Sequence, residues 1–403
     1  MTLRKKLFWV AILYFVQGFP FGFVYDFLPV YLRANSVSLK EIGLLSLIGL
    51  PWTLKFLWAP FVDLWGERKR WIVSSLLGFV AAALVLPFID ITHGGFVLWL
   101  LLLSIPLFSA TQDIAIDAYT IELMEPSEMG RANGVRVTAA RIAFMSMGGL
   151  LALSGWLGWK ISFFIAAAVI ILFAAICFRA SDRLTTRVRV ASELGVKQRV
   201  LEVSVEAFKV FWSRPGFFYV MLFIMLFKLG DMAMGPMIKP FWVDRGFTPA
   251  QIGTVSVTIG VVMTMLGALL GGFITDRLGI FHALWILGLG QAFSNLLYAF
   301  AASLPTSVPL IYSASVLESF TGGLGTGPFL AFLMSVCDRK HAATQYAFLS
   351  ALFGLTRSIS GGFSGIATQH FGYASYFLAT FFLSFPAFIL LPWVKRWVGT
   401  KLT

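Results

Sequence analysis

The sequence predicts an all-α membrane protein with about twelve transmembrane helices, arranged as two pseudo-symmetric halves of six helices each. Three observations lead to this fold class. Hydrophobic residues make up 58% of the 403 residues and charged residues only 12%, about half of the charged fraction that is usual in a soluble domain. Apolar runs of membrane-spanning length recur along nearly the whole chain. Two of these runs, one in each half, begin and end with related motifs.

Twelve apolar runs define the predicted helices. In the first half they cover residues 7–32, 39–63, 71–90, 96–124, 131–157 and 161–178. In the second half they cover residues 217–243, 249–275, 280–302, 308–336, 342–370 and 373–398. We therefore predict an N-terminal six-helix bundle (1–180), a polar linker (181–214) and a C-terminal six-helix bundle (215–403). The first run follows basic residues as a signal peptide would, but it is too long for one and is predicted to remain as a helix.

The basic residues concentrate in every second loop. They are Arg4, Lys5, Lys6, Arg68, Lys69, Arg70, Arg339, Lys340, Lys395 and Arg396, together with those of residues 179–199. Cytoplasmic loops of membrane proteins carry an excess of Lys and Arg, so we predict that both termini and the linker are cytoplasmic. The net charge of +12 is then a matter of topology and not of nucleic-acid binding. Residues 193–209 have an amphipathic pattern that predicts a helix on the membrane surface.

An internal repeat supports the two halves. Ser38 and Glu41 open the second predicted helix, and Thr248 and Gln251 open the eighth. Each pair forms a capping box, in which a hydroxyl and a Glu or Gln three residues later bond to backbone amides at the start of a helix. Matching helix starts in the two halves predict two related bundles.

The same two helices end in related motifs. Residues 272–279 follow a Gly-x-x-x-Asp-Arg-x-Gly pattern, which resembles the loop motif of the major facilitator fold. The copy after the second helix departs from this pattern at its leading glycine and at its arginine. We predict that Asp63, Arg68, Asp276 and Arg277 form a gating motif, in which an aspartate at a helix end pairs with a neighbouring helix and releases it as the halves move. A simple topology anchor is the alternative interpretation.

Two carboxylates lie inside the fourth predicted helix. Asp113 and Asp117 are four residues apart and therefore share one face of the helix. Two carboxylates this close do not both ionise easily, so we predict that the pair takes up and releases a proton during transport. Arg136 and Arg141 of the fifth helix are the candidate counter-ions, with Arg141 deeper in the bilayer. The alternative is a structural ion pair that locks the fourth and fifth helices together.

Polar residues at membrane depth are unfavourable unless they serve a function, so each is a candidate to contact the solute. Glycine and proline interrupt the first helix at residues 18–22 and the seventh at 235–240, corresponding places that point to the substrate site. Lys55 offers a cation to an anionic solute, or else extends to the membrane interface. The candidate substrate-binding residues are Asp26, Lys55, Gln112, Tyr119, Arg141, Lys228, Asp231, Gln291, Asn295, Glu318, Gln345 and Arg357. A glycine-rich run at 322–327 favours close helix packing or a gating bend.

No enzyme motif accompanies these residues. The chain has no HExxH pattern, no set of Ser, His and Asp, and no metal-spaced ligands, and its four histidines fall near predicted loops. Cys177 and Cys337 have neither disulfide nor metal spacing. We therefore expect no catalytic activity, no cofactor, no bound metal and no nucleic-acid partner. A structural or signalling membrane protein is a further alternative, but it would not need ionisable residues inside both halves.

Taken together, these residues resemble the AmpG-type muropeptide permease family, whose branch also includes acetyl-CoA transporters and some siderophore permeases. The resemblance rests on residues 49–60 (GLPWTLKFLWAP), 112–119 (QDIAIDAY), 228–231 (KLGD), 291–295 (QAFSN), 318–326 (ESFTGGLGT) and 343–347 (ATQYA). It extends from the second predicted helix to the eleventh. It is more specific for the family than for the solute.

The resemblance implies an inner-membrane importer that uses protons to bring anhydro-muropeptides from cell-wall recycling into the cytoplasm, and we expect a monomer. Its partners would be the solute, protons and the lipid bilayer. Protonation of the Asp113/Asp117 pair would neutralise the cavity, while Arg141, Lys228 and Lys55 meet carboxylates of the solute. The chain is shorter than some members, and the family does not lead us to expect Asp26. A ferric-siderophore permease, or a transporter of acetyl-CoA or another anionic solute, is the alternative.

Overall fold

The structure is a computed structural model that describes residues 1–64, 67–91, 95–125, 128–179, 212–337 and 342–399. All regular structure within these ranges is helical. The predicted surface helix at 193–209 and most of the predicted linker lie outside the described residues.

The helices of the first half follow the predicted order. They are α1 (Leu3–Gly22), a π-helical turn (Phe23–Phe27), α2 (Leu28–Ala34), α3 (Leu39–Ile48), α4 (Leu50–Leu54), a 3-10 turn (Lys55–Leu57), α5 (Ala59–Leu64), α6 (Arg68–Val85), a second 3-10 turn (Leu86–Phe88), α7 (Gly95–Leu123), α8 (Met129–Leu157) and α9 (Trp159–Arg179). The first predicted helix corresponds to α1, the π-helical turn and α2, and the second corresponds to α3 through α5. The second is thus divided into short pieces, whereas α7 and α8 each run for 29 residues.

The second half continues in the same way. Its elements are α10 (Phe217–Phe227), α11 (Leu229–Asp244), α12 (Pro249–Gln251), a π-helical segment (Ile252–Ile259), α13 (Gly260–Leu278), α14 (Ile280–Ser303), α15 (Val308–Ser335), α16 (Ala342–Leu383) and α17 (Phe385–Gly399). Gly372 interrupts α16, because its φ of 76° lies in the left-handed region that favours glycine. The interruption falls between the predicted eleventh and twelfth helices.

Nine stretches of the described residues are long and apolar enough to cross a membrane. The last of them, Phe348–Trp397, has 50 residues and contains the break at Gly372. The divided stretch from α3 to α5 and the glycine-containing α15 are not among the nine, although both were predicted to span the bilayer. The break at Gly372 divides the last of the nine stretches into two helices, and α3 to α5 and α15 add two more. Each of the twelve predicted helices therefore has a counterpart, and the all-α membrane fold class is confirmed.

The chain forms two compact units. Unit 1 contains Met1–Val190 and Lys239–Thr258, and unit 2 contains Ala191–Ile238 and Ile259–Thr403. The segment Lys239–Thr258 belongs to the second half of the sequence but packs in unit 1. The predicted boundary at the linker does not account for the assignment of this exchanged segment to unit 1. The division into two bundles at the linker stays a prediction.

Buried aromatic rings form much of each core. In unit 1, Phe163 of α9 packs edge-on against Phe23 and Phe27 of the π-helical turn, with ring centres 5.5 and 5.3 Å away. In unit 2, Phe227 and Phe329 stack at 5.4 Å, almost parallel. Such contacts add packing energy of about 0.5–1.5 kcal/mol per pair to the burial of the rings. They fix the ends of the irregular helices on which functional side chains lie.

Both predicted capping boxes are confirmed. The Glu41 amide donates to the Ser38 hydroxyl at 3.3 Å, and the Ser38 amide donates to the Glu41 carboxylate at 3.2 Å. Thr248 and Gln251 repeat the arrangement at 3.3 and 2.9 Å. The side chains thereby satisfy backbone amides that a helix start leaves without partners.

The helix interruptions occur close to the predicted places but not at the glycines and prolines. In the first helix, α1 continues through Pro20, and the π-helical turn Phe23–Phe27 follows. In the seventh, the break lies at Lys228, and α11 is helical through Pro236. The prediction was therefore wrong in position, because proline is tolerated within membrane helices where local adjustments satisfy the freed carbonyls. In the π-helical turn that follows, the Leu28 amide bonds to the Phe23 carbonyl five residues earlier.

The glycine-rich run of α15 packs directly on α13 in unit 2. A methyl group on Gly323 would overlap the backbone carbonyl of Thr264, and one on Gly271 would overlap the carbonyl of Leu324. Small residues let helix backbones approach closely in a membrane, where packing drives association. The expectation of close helix packing at this run is confirmed.

Candidate functional site

The two carboxylates of α7 face the same cation. Lys55 Nζ contacts Asp113 Oδ2 and lies 3.4 Å from Asp117 Oδ2. Lys55 opens the 3-10 turn between α4 and α5, and this irregular backbone aims its side chain at α7. The Lys55 side chain is 31% exposed and ends at the carboxylates, so it does not extend away to the membrane interface.

Two further groups complete the cluster at Asp117. The Tyr14 hydroxyl of α1 donates to Asp117 Oδ1 at 2.6 Å, and Arg136 Nη2 of α8 lies 3.2 Å from the same oxygen. The Arg136 guanidinium also lies over the Tyr14 ring, 4.4 Å from its centre. The carboxylate cluster, as we call Tyr14, Lys55, Asp113, Asp117 and Arg136, therefore joins four helical segments and has two positive and two negative groups.

A cavity of about 350 Å³ adjoins the cluster within unit 1. Its lining combines cluster residues with apolar and aromatic side chains. They are Tyr14, Gln17, Gly18, Phe21, Trp52, Asp113, Arg136, Val137, Ala140 and Phe144. The cavity thus has a charged end and an aromatic wall, a combination typical of ligand sites that orient a solute by a few polar groups.

The aromatic wall is held rigidly. The Phe21 ring centre lies 5.0 Å from that of Trp52 and 5.5 Å from that of Phe144. The Trp52 indole donates to Ser109 Oγ at 3.1 Å, which fixes the orientation of its ring. Rigid aromatic faces of this kind suit sugar rings and other flat apolar surfaces.

Gln17 is a lining residue that the sequence reasoning missed. Its Oε1 atom is buried and has no hydrogen-bond partner among the described residues, so a solute donor would satisfy it. The available signal was the spacing of Tyr14, Gln17 and Phe21 at i, i+3 and i+7, which puts a polar and aromatic stripe on one face of α1. Lys55 and Asp113 were predicted as site residues and Arg136 as a counter-ion, but Tyr14 and Trp52 were not among the predicted site residues.

Arg141 lies one turn beyond Arg136 on α8 but does not join the cluster. It is half-buried, its guanidinium lies 5.9 Å from the Phe144 ring centre, and it makes no ion pair with a described residue. Of the two predicted counter-ions, Arg136 therefore pairs with the carboxylates and Arg141 does not. An arginine beside the aromatic wall is available to an anionic group of a solute.

Gln112 and Tyr119 lie on other faces of α7. Both are buried, and neither lines the cavity. Residues one or two positions from Asp113 or Asp117 are turned by about 100° or 200° around the helix, so they cannot share the face of the carboxylates. Gln112 Nε2 has no hydrogen-bond partner among the described residues. The role predicted for these two residues stays a prediction.

A second buried cluster occupies unit 2. Lys228 Nζ, at the break between α10 and α11, donates to Gln291 Oε1 at 2.6 Å and to the Gly322 carbonyl at 2.9 Å. It lies 3.7 Å from Asp231 Oδ2. The break at Lys228 and the glycine-rich backbone of α15 thus combine to surround one ammonium with oxygen atoms.

The other polar residues predicted in the second half lie on α14, α15 and α16. Asn295 is fully buried, and its amide lies 3.5 Å from Thr380 Oγ1. Its Oδ1 atom has no partner among the described residues. Glu318 and Arg357 are half-buried, and Gln345 is buried. Their predicted contact with a solute stays a prediction.

Asp26 pairs with a residue distant in sequence. Its Oδ1 lies 2.8 Å from Lys239 Nζ, and both side chains are largely shielded from solvent. A second pair lies near these residues in the sequence. Arg33 donates to the two carboxylate oxygens of Asp244 from two nitrogen atoms, at 2.6 and 2.8 Å. All four residues lie in unit 1. The outer ion pairs, as we call Asp26–Lys239 and Arg33–Asp244, attach the exchanged segment to α2 and to the π-helical turn.

The predicted gating residues divide into two groups. Arg68 is buried and bonds to the Val62 carbonyl at 3.1 Å and to Glu122 at 3.4 Å. The side chain of Asp63 is not among those that the structure describes. Asp276 is exposed and makes no ion pair with a described residue, while Arg277 lies over the Phe273 ring at 4.3 Å. The ion pair expected for Asp276 is therefore not found within the described part of the chain.

A further ion-pair group lies beside the start of α1. Lys6 Nζ lies 2.7 Å from Glu128 and 3.4 Å from Glu125. The hydrogen bond from Lys6 lowers the pKa of the Glu128 carboxyl below its usual range. This group ties α1 to the beginning of α8 and so helps to hold Tyr14 and Arg136 on facing helices.

The sequence matches one family model along almost its full length. The model is that of the Major Facilitator Superfamily, and it matches residues 10–238 and 222–399. A match of this extent includes both units and every helix that contributes to the carboxylate cluster.

Relatives and solved structures agree with this match. The chain is 29% identical to the anhydromuropeptide permease of Escherichia coli K12, over 95% of this chain and 78% of the relative. It is 26% identical to the putative transporter AmpG 4 of Rickettsia conorii, over 98% and 97%. It also resembles the crystal structure of a bacterial homologue of the human lysosomal transporter Spinster, with a TM-score of 0.76, 16% identity and 99% and 98% of the two chains covered. The resemblance to AmpG-type permeases is confirmed.

Proposed function

Because this chain belongs to the Major Facilitator Superfamily, we propose that it imports anhydro-muropeptides together with protons by alternating access. Its relatives and its fold make it a secondary transporter and a multi-pass membrane protein, not an enzyme. The coupling to protons and the identity of the solute are the proposal. One observation carries it: a neutral cluster of two carboxylates and two cations adjoins an aromatic-walled cavity.

The proposed proton step uses Asp113. When Asp113 takes up a proton, Lys55 loses one of its two carboxylate contacts and the cluster gains a net positive charge. A carboxylate of the solute then restores neutrality beside Lys55 and Arg136. Neutralised groups cross between environments at lower cost than isolated charges, so proton and anionic solute favour the conformational change together.

The proposed solute is supported by the chemistry of the cavity and by the named relative. An anhydro-muropeptide combines sugar rings with peptide carboxylates. The rings match the wall of Phe21, Trp52 and Phe144, and the carboxylates match Arg141 and the cluster cations. The E. coli relative carries the name anhydromuropeptide permease, which favours this solute over the siderophores and acetyl-CoA.

The proposed setting follows from the charge pattern. The basic loops support a cytoplasmic location for both termini and for residues 181–214, with six helices before and six after this linker. The protein acts as a monomer in the inner membrane. Polar residues of the second half, above all Lys228, are further candidates to contact the solute.

Uptake into proteoliposomes tests the proposal. The purified protein is given labelled N-acetylglucosaminyl-anhydro-muramyl peptide, with and without an inward proton gradient, and in parallel a panel of ferric siderophores and acetyl-CoA. We expect gradient-dependent uptake of the muropeptide alone. Asp113→Asn should abolish accumulation against a gradient, because it removes the proton site. Asp90→Asn makes the same change at an exposed position outside the cluster and the predicted gating motif, and should leave uptake unchanged.

Each other result contradicts a defined part of the proposal. Uptake of siderophores or acetyl-CoA without muropeptide would replace the solute and keep the mechanism. Muropeptide uptake that ignores the proton gradient would remove the proton step. Equal loss in both aspartate variants would show that the effect of Asp113→Asn is not specific to the cluster.

A further inference from the structure

The pair of helices α6 and α9 has a cavity at each of its two ends. The cavity beside the start of α6 has a volume of about 490 Å³, and the one beside its end has about 430 Å³. At each end, a lysine lies over a phenylalanine: Lys69 is 5.3 Å from the Phe178 ring centre, and Lys160 is 5.4 Å from that of Phe88. The two ends therefore share this lysine–phenylalanine contact and can be compared directly.

The two cavities differ in charge. The one at the start of α6 is lined by Lys69 and Arg70 against the single carboxylate of Glu67. The one at the other end is lined by Lys160 and Asp90, whose charges cancel. Only the first has an excess of positive charge, and the exposed Arg179, directly after Phe178, adds to it. Charge complementarity thus favours an anionic ligand at the start of α6.

The same cavity changes from charged to apolar along the helix. Its lining runs from Lys69 and Arg70 through Ser74 to Leu77, a distance of about 12 Å at 1.5 Å per residue. Leu77 is 51% exposed, on a helix that spans the membrane, whereas Phe178, 66% exposed, lies beside Lys69 at the charged end. A ligand in this cleft would therefore meet cations at one end and apolar side chains at the other.

Arg70 is free to change partners. Its side chain is 78% exposed, and its nitrogen lies 3.5 Å from Glu67. An exposed pair of this kind contributes little to stability, so Arg70 can turn to a phosphate without loss elsewhere. Guanidinium groups bind phosphate with two parallel hydrogen bonds.

We propose that this cleft binds the headgroup of an anionic phospholipid, with Lys69 and Arg70 on its phosphate and an acyl chain that passes Phe178 and runs along Val73 and Leu77. Basic pockets between transmembrane helices are suited to such headgroups. The cleft is separate from the carboxylate cluster, and it does not depend on which solute the protein transports.

Lipid binding to the purified full-length protein tests this site. Delipidated protein in detergent is titrated with phosphatidylglycerol, with phosphatidylcholine of the same chains and with inorganic phosphate, and bound lipid is counted by native mass spectrometry. We expect phosphatidylglycerol to bind in preference to phosphatidylcholine. Two basic groups near a membrane surface contribute about 1 kcal/mol each, so Lys69→Gln with Arg70→Gln should weaken that binding about 30-fold. Arg70→Gln alone, at an exposed position, should weaken it about fivefold.

Lys160→Gln is the matched control, because it removes a lysine over a phenylalanine from the other end of the same helices. Its binding of phosphatidylglycerol should match that of the unchanged protein. Equal binding of the two lipids, undiminished binding in Arg70→Gln, equal loss in Lys160→Gln, or full competition by inorganic phosphate would each overturn the proposal. The exposed single variant keeps the test valid if the double variant does not fold.

Discussion

Asp113 and Asp117 have unequal surroundings. Asp117 contacts Tyr14, Arg136 and Lys55, whereas among the described residues Asp113 contacts only Lys55. Loss of the charge on Asp117 would leave Arg136 without its carboxylate. Loss of the charge on Asp113 leaves Lys55 in reach of Asp117. At the scale of single residues, this asymmetry leads us to expect the exchangeable proton of the proposed mechanism on Asp113 and a fixed counter-charge on Asp117.

Asparagine substitutions separate these two roles. Asp113→Asn resembles the protonated carboxyl, so we expect it to retain solute exchange between equal concentrations while it loses accumulation driven by the proton gradient. Asp117→Asn leaves two cations near one remaining carboxylate, and we expect it to reduce exchange itself about tenfold, since an unpaired cation at membrane depth is unfavourable. Counterflow and gradient-driven uptake in the same proteoliposomes measure both effects.

A double variant of Lys55 and Asp113 provides the control for the asparagine substitutions. Lys55→Met with Asp113→Asn removes one charge of each sign, so it should fold better than Lys55→Met alone. Identical behaviour of Asp113→Asn and Asp117→Asn in exchange would refute the assignment of separate roles.

The sequence supports part of this site directly. The spacing of Asp113 and Asp117 predicts a shared helix face, because helical periodicity is a local property. Tyr14 and Lys55 lie 103 and 62 residues from Asp117, so no local pattern connects them. Lys55 reaches the carboxylates through a 3-10 turn, and the sequence around it left its direction open.

At the scale of elements, the contact between α13 and α15 is the closest helix packing described above. Gly323 lies directly against the carbonyl of Thr264, while a methyl group on its neighbour Gly322 would have no atom nearer than Glu318 Oε1 at 4.0 Å. Two adjacent glycines of one helix thus differ only in what they face. The same helix supplies the Gly322 carbonyl to Lys228, so a shift of α15 would also move the buried cluster of unit 2.

Alanine at these two positions gives opposite expectations. Gly323→Ala should lower the free energy of unfolding by about 1–3 kcal/mol, because the added methyl overpacks the contact with α13. Gly322→Ala is the matched control and should be neutral or stabilising by up to about 1 kcal/mol, since alanine favours a helix over glycine. Thermal unfolding of both variants in detergent measures the difference. Equal midpoints would contradict the close contact.

Element types were more predictable than element interruptions. The glycine run and both capping boxes were foreseen because each acts through a few neighbouring residues. The break at Phe23–Phe27 directly follows the glycines and proline at 18–22 that suggested it, whereas the break at Lys228 lies seven residues before Gly235. Packing from other helices decides where a helix yields, and the sequence of one helix does not contain that information.

At the scale of the whole molecule, the units do not follow the order of the chain. The helix α11 begins in unit 2 and ends in unit 1, where Lys239 and Asp244 form the outer ion pairs. Hydropathy and the repeated motifs predicted two six-helix halves, but neither has any information on which unit a helix end joins. Arg33 and Asp244, which form one of these pairs, are 211 residues apart in the sequence.

Exchanging the charges of one outer pair tests its part in transport. Asp26→Lys and Lys239→Asp should each slow solute uptake about fivefold or more, because a largely shielded pair is worth more than the ~1 kcal/mol upper end for exposed pairs. The combined variant restores the attraction and should recover most of the rate. Lys40→Glu, at an exposed lysine, is the control for a change of charge alone. A combined variant as slow as either single one would argue against a role for the pair.

The equal numbers of positive and negative groups in the carboxylate cluster have an electrical consequence. Moving one elementary charge through a membrane potential of 100 mV changes its free energy by about 2.3 kcal/mol. Because Lys55 and Arg136 balance Asp113 and Asp117, the cluster without solute has no net charge. One proton and one solute carboxylate added together leave this net charge at zero. Transport of a monoanion with one proton should then respond to the chemical gradient of protons and not to voltage.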